Sequence, residues 1–113
     1  MIVRNVTREA VLVEDLEAAT GMVSRFLGLM FRRELAPGAG LLIRPCGSIH
    51  MLFMRFPLDA VFFDKEERVT KVARNVRPWR GLAFGGRGSK AVLELAAGAA
   101  VGTLPGDQLS FED

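Results

Sequence analysis

Residues 46–64, CGSIHMLFMRFPLDAVFFD, constrain the fold more than any other stretch. They are almost wholly apolar. Yet they hold the only cysteine, Cys46, and the only histidine, His50, with Arg55 and Asp59 set among large hydrophobes. An unpaired charge is costly to bury, so these polar groups need partners. The stretch is either a structural knot or the floor of a site. Phe56 precedes a proline and is therefore extended. Residues 50–56 read as a strand that is apolar on both alternating faces, which calls for cover on both sides.

The rest of the chain supports one domain. Its 113 residues suit a single unit spanning 1–113. Half of them are hydrophobic, enough for one core. The charged fraction, 25%, argues against a disordered chain. No apolar run approaches the ~18 residues of a membrane span. Residues 1–15 mix charges into their apolar positions and offer no signal-peptide core. The expectation is a cytoplasmic protein with no membrane contact. A lone cysteine permits no internal disulfide.

The net charge of +2 hides an asymmetry. Arg68, Lys71, Arg74, Arg77, Arg80, Arg87 and Lys90 are seven cations with no acid between the first and the last. The remainder carries eight cations against thirteen acids. A local basic stretch can meet an anionic partner or serve as a solvated loop.

Ile2, Val3 and Val6, then residues 11–13, read as opening strands. Thr20 is an N-cap for a helix carried by Met22, Val23, Phe26, Leu27 and Met30. Pro37, Gly38 and Gly40 mark a turn. Further strands fall at residues 41–43, 50–56 and 60–63. Residues 64–67 make a charged turn, with 68–73 as the hairpin partner. Residues 74–88 read as an Arg- and Gly-rich loop, 91–95 as a strand and 96–103 as one helical turn. Pro105, Gly106 and Asp107 turn into a last strand, 108–111. The expected fold is α+β: a small, mostly antiparallel sheet, strongly curved or closed like a barrel, with one helix in the N-terminal half and a short second helical turn.

Several blocks recur in a recognisable order. They are Gly28-Leu29-Met30-Phe31-Arg32, Gly40-Leu41-Leu42, Ser48-Ile49-His50, Met54-Arg55-Phe56-Pro57-Leu58-Asp59 and Phe62-Phe63-Asp64. Val92-Leu93-Glu94-Leu95, Ala97-Gly98 and Gly106-Asp107 close the series. Across residues 20–111 the pattern resembles the family known as domain of unknown function 192. The resemblance implies a mostly β domain with a helix near its N-terminus. It implies no established activity. Many members have a tryptophan and an asparagine before the proline, where this chain has Phe53-Met54-Arg55-Phe56.

Residues two apart on a strand share a face, so Cys46, Ser48 and His50 would line one side. A thiol, a hydroxyl and an imidazole suggest a nucleophile and base, but residues four apart on a strand stand ~13 Å apart, too far for direct proton transfer. Cys46, His50, Met51 and Met54 are soft-metal ligand types. No CxxC or HxxxH spacing supports them, and neither a metal nor a cofactor is expected. Asp59 follows Pro57-Leu58, where a turn can swing it towards Arg55 or His50. It either satisfies one of them or joins His50 and Glu94 as the polar end of a pocket. Glu94, between Leu93 and Leu95, also reads as a side chain facing water. Trp79 lies between Arg77 and Arg80, a pattern that can hold phosphates and stack bases, though no RNP or KH signature accompanies it.

The residue pattern favours a non-catalytic binding module for a small anionic ligand or a protein partner. Its candidate residues are His50, Arg55, Asp59, Glu94, Arg77, Trp79 and Arg80. Two alternatives stay open. One is an enzyme using His50 and Asp59 as acid and base on an anionic substrate. The other is a nucleic-acid binder acting through residues 74–90.

Overall fold

The computed structural model describes residues 1–19, 34–51 and 54–112. Along them run β1 (Ile2–Asn5), β2 (Ala10–Val13), β3 (Asp15–Ala19), β4 (Ala39–Ile43) and β5 (Ser48–His50). Then follow β6 (Leu58–Phe63), β7 (Val69–Val76), β8 (Leu82–Phe84), β9 (Ala91–Ala96) and β10 (Leu109–Glu112). They form a five-stranded sheet in the order β3-β4-β9-β6-β7, a three-stranded sheet β10-β1-β2 and a two-stranded sheet β5-β8.

The apolar runs of β6 and β9 place them at the centre. A strand buried on both faces reads as a continuous hydrophobic run, not as an alternation. All six residues of β6 are buried, and so are the first five of β9. The two pair antiparallel from Leu58↔Ala96 to Phe63↔Ala91. One face of the sheet offers Leu41, Leu58, Ala60, Phe62 and Val92 to Ile49, Met51, Met54 and Ala83. The opposite face sets Val61, Phe63, Leu93 and Leu95 against Val3, Leu12, Val13 and Leu109 of the three-stranded sheet. Each such large side chain contributes about 1.5–3 kcal/mol by leaving water.

The expected hairpin of β6 and β7 is present. Its turn is held by Asp64, whose Oδ1 accepts the N–H groups of Glu66 and Arg68, both at 3.0 Å. An aspartate bonded to backbone two residues on is the usual device for such a turn. β3 and β4 run parallel, from Asp15↔Ala39 to Ala19↔Ile43. A parallel pair needs a long crossover, here residues 20–38. The charges of β3 conceal it in the sequence, because as an edge strand it leaves Asp15 and Glu17 exposed.

The α+β, barrel-like expectation is overturned. The described residues are all β, with no helix among them. The helix expected from Thr20 to Met30 lies outside the described residues. Residues 96–103 are successive turns, with Ala99 N–H bonded to Ala96 O, Val101 to Gly98 and Thr103 to Ala100. Gly98 and Gly102 sit at φ 93° and 85°, a left-handed conformation that right-handed helix cannot pass through. Among the described residues no closed barrel forms either, because none of their strands bridges the edges β3 and β7. The strand expected over residues 50–56 ends at His50. The two-sided apolar pattern that suggested closure belongs to β6 and β9.

Candidate functional site

Asp59 stands near the start of β6, only 1% exposed. Its Oδ1 accepts the Asn75 N–H at 2.9 Å. Its Oδ2 accepts the N–H groups of Gly98 and Ala100, each at 3.0 Å. The carboxylate thereby joins the end of β7 to the turn after β9. Arg55 is exposed and makes no ion pair with Asp59 among the described residues. Of the two expected partners, Arg55 is thus not taken, and three backbone donors hold the carboxylate.

His50 ends β5 opposite Leu82; its side chain lies outside the described residues. Cys46 precedes the strand, half-buried, and its thiol donates to the Ser48 carbonyl at 2.9 Å.

Glu94 differs sharply from a strand residue facing water. It is 5% exposed and sits mid-strand opposite Leu41 on one side and Ala60 on the other. Directly opposed residues share a face, so the carboxyl belongs to the apolar face of Leu41, Ala60 and Val92. It has no hydrogen bond or ion pair among the described residues. Loss of water around it raises its pKa from 4.5 to about 7.

Gly106 and Asp107 shape the expected turn, with Asp107 N–H bonded to Leu104 O at 3.1 Å. Asp107 does more than this. Its Oδ2 accepts from Asn5 Nδ2 (2.9 Å), Arg8 Nε (3.0 Å) and Leu104 N–H (2.9 Å). Burial pushes its pKa up, but the bonds from Arg8, Asn5 and Leu104 outweigh it and hold the acid at about 2.

The basic stretch is not one loop. Residues 74–76 finish β7, residues 77–81 turn, and 82–84 form β8. Between β7 and β8 lies an open cavity of about 320 Å3 lined by Ala73, Arg74, Val76, Arg77, Arg80, Gly81 and Leu82. Its lining holds three arginines and no acid. Arg74 is engaged, its Nη2 donating to the carbonyls of Ala100 and Thr103. Arg77 and Arg80 are exposed and have no ion-pair partner among the described residues. Trp79 is 53% exposed at φ 67° and donates its N–H to the Met51 carbonyl at 2.7 Å.

The candidates therefore divide. Arg77 and Arg80 meet at one cavity with Trp79 between them in the turn, whereas Asp59 and Glu94 lie buried in the sheet. Sequence reasoning missed Arg74 and Leu82 as lining residues. The acid-free run of cations pointed to the region, but Leu82-Ala83-Phe84 is too short an apolar run, among glycines, to declare a strand. Among the described residues no three His, Cys, Asp or Glu side chains gather as metal ligands, and no helix is long and apolar enough to cross a membrane.

These features define, among the described residues, a β fold with a cationic cavity between two strand edges. The chain belongs to the DUF192 family, described as "Uncharacterized ACR", whose model matches residues 3–111. It is 34% identical over 79 residues to the UPF0127 protein PF1050 of Pyrococcus furiosus, covering 67% of each chain. Its fold matches a protein of unknown function from Novosphingobium aromaticivorans, with a TM-score of 0.84 and 28% identity. That match covers 97% of this chain and 82% of the other. A protein of Sinorhizobium meliloti described as a "putative transcription regulator" matches with a TM-score of 0.80 and 28% identity, over 96% and 91% of the two chains.

Proposed function

We propose that the domain is a non-catalytic binding module whose cavity between β7 and β8 takes an anionic ligand. The observation that carries this reading is the lining itself. Arg77 and Arg80 border an apolar floor of Ala73, Val76 and Leu82, and no acid among the described lining residues neutralises them. A guanidinium presents a planar fork of donors that fits carboxylate and phosphate oxygens. An apolar floor beneath such forks suits a ligand with a hydrophobic body and an anionic end. The acid–base alternative gains no support from Asp59, since its carboxylate is occupied by three backbone N–H groups.

Calorimetric titration with pyrophosphate and with benzoate at low ionic strength tests the reading. The expected result is saturable binding that weakens with added salt and disappears in the Arg77→Ala/Arg80→Ala variant. No saturable binding at low salt, or equal binding by the variant, overturns it.

A further inference from the structure

β7 and β8 follow one another, joined only by residues 77–81. So short a link between neighbouring strands usually closes a hairpin. Here the two do not pair. β7 is an edge of the five-stranded sheet, and β8 pairs with β5. The turn between them explains the divergence. Trp79 N–H donates to Met51 O, and Met51 N–H donates to Gly81 O at 3.0 Å. Those bonds draw the turn onto the end of β5 and carry β8 with it. The apex is tight: a Cβ on Gly81 would lie 2.5 Å from both the Arg77 carbonyl oxygen and Val76. The wedge left between the strands is the cationic cavity.

Pairing with β5 also fixes which backbone groups of β8 remain open. Gly85 N–H bonds to Gly47 O at 2.8 Å, and Met51 N–H to Gly81 O. Bonded and non-bonded pairs alternate along an antiparallel ladder. The pairs Ser48↔Phe84 and His50↔Leu82 are therefore the non-bonded ones. The N–H and C=O groups of Leu82 and Phe84 point away from β5, and none has a backbone partner among the described residues. On the face of β8 that meets solvent, Leu82 is 61% and Phe84 58% exposed.

We infer that this edge of β8 receives an extended acidic peptide segment as a third strand, with carboxylates held by Arg77 and Arg80. This rests on the anion-binding reading of the cavity and names its partner. Three observations converge on it. The open edge supplies main-chain donors and acceptors in register, the means by which edge strands capture peptides. Leu82 and Phe84 offer apolar contact to alternate side chains of an added strand. The seven cations of residues 68–90, with no acid among them, complement an acidic segment.

Fluorescence anisotropy on the full chain, at low salt, tests the inference with labelled peptides of alternating glutamate and valine. The expected affinity exceeds that for pyrophosphate by about tenfold or more, which is about 1.4 kcal/mol. Amide exchange at Leu82 and Phe84 slows on binding. A copy of the peptide N-methylated on the paired edge loses affinity. The Arg77→Glu/Arg80→Glu variant, altered only at exposed positions, switches preference to a lysine–valine peptide. Peptide binding no tighter than that of pyrophosphate, or undiminished by N-methylation, overturns the inference and leaves small-anion binding standing. Oligodeoxythymidine that binds more tightly than the peptide and displaces it overturns the inference in favour of nucleic acid. If neither peptide nor pyrophosphate binds, the anion-binding reading falls as well, and the arginines serve only to keep a bare edge from self-association.

Discussion

Asp59 and Glu94 lie on adjacent central strands, both almost wholly buried, and their surroundings treat them in opposite ways. Asp59 stands near the start of β6, where the end of β7 and the turn after β9 leave backbone amides free to point at it. Three do so. Glu94 stands in the middle of β9, which is paired on both sides with β4 and β6. There the ladders consume the neighbouring amides, and among the described residues no backbone donor is left for a carboxylate. Both are acids in a dry sheet. Position along the strand makes one a fastener and leaves the other a buried acid without a partner among the described residues.

The largest expected effect comes from removing the fastener. Asp59→Ala removes the acceptor of three N–H groups, that of Ala100 buried and those of Asn75 and Gly98 partly so, and a hydrogen bond to a charged group is worth about 1.5–3 kcal/mol. Chemical denaturation should show a loss of about 3–5 kcal/mol. Asp59→Asn keeps one acceptor oxygen and should lose less. A melting temperature unchanged by Asp59→Asn would erase the contrast with Glu94.

The next effect is smaller and has the opposite sign. The raised pKa of Glu94 means that the folded protein holds its proton up to about pH 7, whereas the unfolded chain releases it near 4.5. Between those values the unfolded state binds fewer protons, so stability falls as pH rises. The fall amounts to about 3 kcal/mol and is complete above pH 7. Glu94→Gln should flatten the curve across this window and be the more stable protein at pH 8. Urea titrations at several pH values measure both. A wild-type curve already flat between pH 4.5 and 7 would mean that Glu94 has a partner in solution.

The smallest effect concerns the cavity rim. Arg77→Ala and Arg80→Ala should each change stability by no more than about 0.5 kcal/mol, because both side chains are exposed and have no ion-pair partner among the described residues. Thermal melts compared with the wild type decide this. A larger loss would place these arginines with Asp59 as structural residues and would weaken the case for a binding site.

Much of the frame is legible in the sequence. Residues 60–63 and 91–95 read as strands, and both lie within strands of the central sheet. The charged stretch 64–67 announces the turn that joins β6 to β7. The acid-free cations announce the region of the cavity. The misreadings also have particular causes. Residues 50–56 have the composition of a strand, but the Met51 carbonyl leaves the register of the β5–β8 ladder to accept the Trp79 N–H, and the strand ends at His50. Residues 96–103 have helical composition, but their glycines adopt left-handed φ. Glu94 reads as solvent-facing because one strand's alternation cannot reveal a second covering layer.

The sequence by itself determined the family, the central strands and the asymmetry of charge, since all three are written in neighbouring residues or short blocks. Only the tertiary structure decided which acid is satisfied, which strand β8 joins and whether the sheet closes. The physical reason is the distance along the chain at which partners are found. Asp59 takes its donors from residues 75, 98 and 100, and β8 finds its mate in β5 rather than in the strand beside it. Hydrogen-bond partners so far apart in sequence leave no local pattern, and the cavity they open exists only once the strands have been laid side by side.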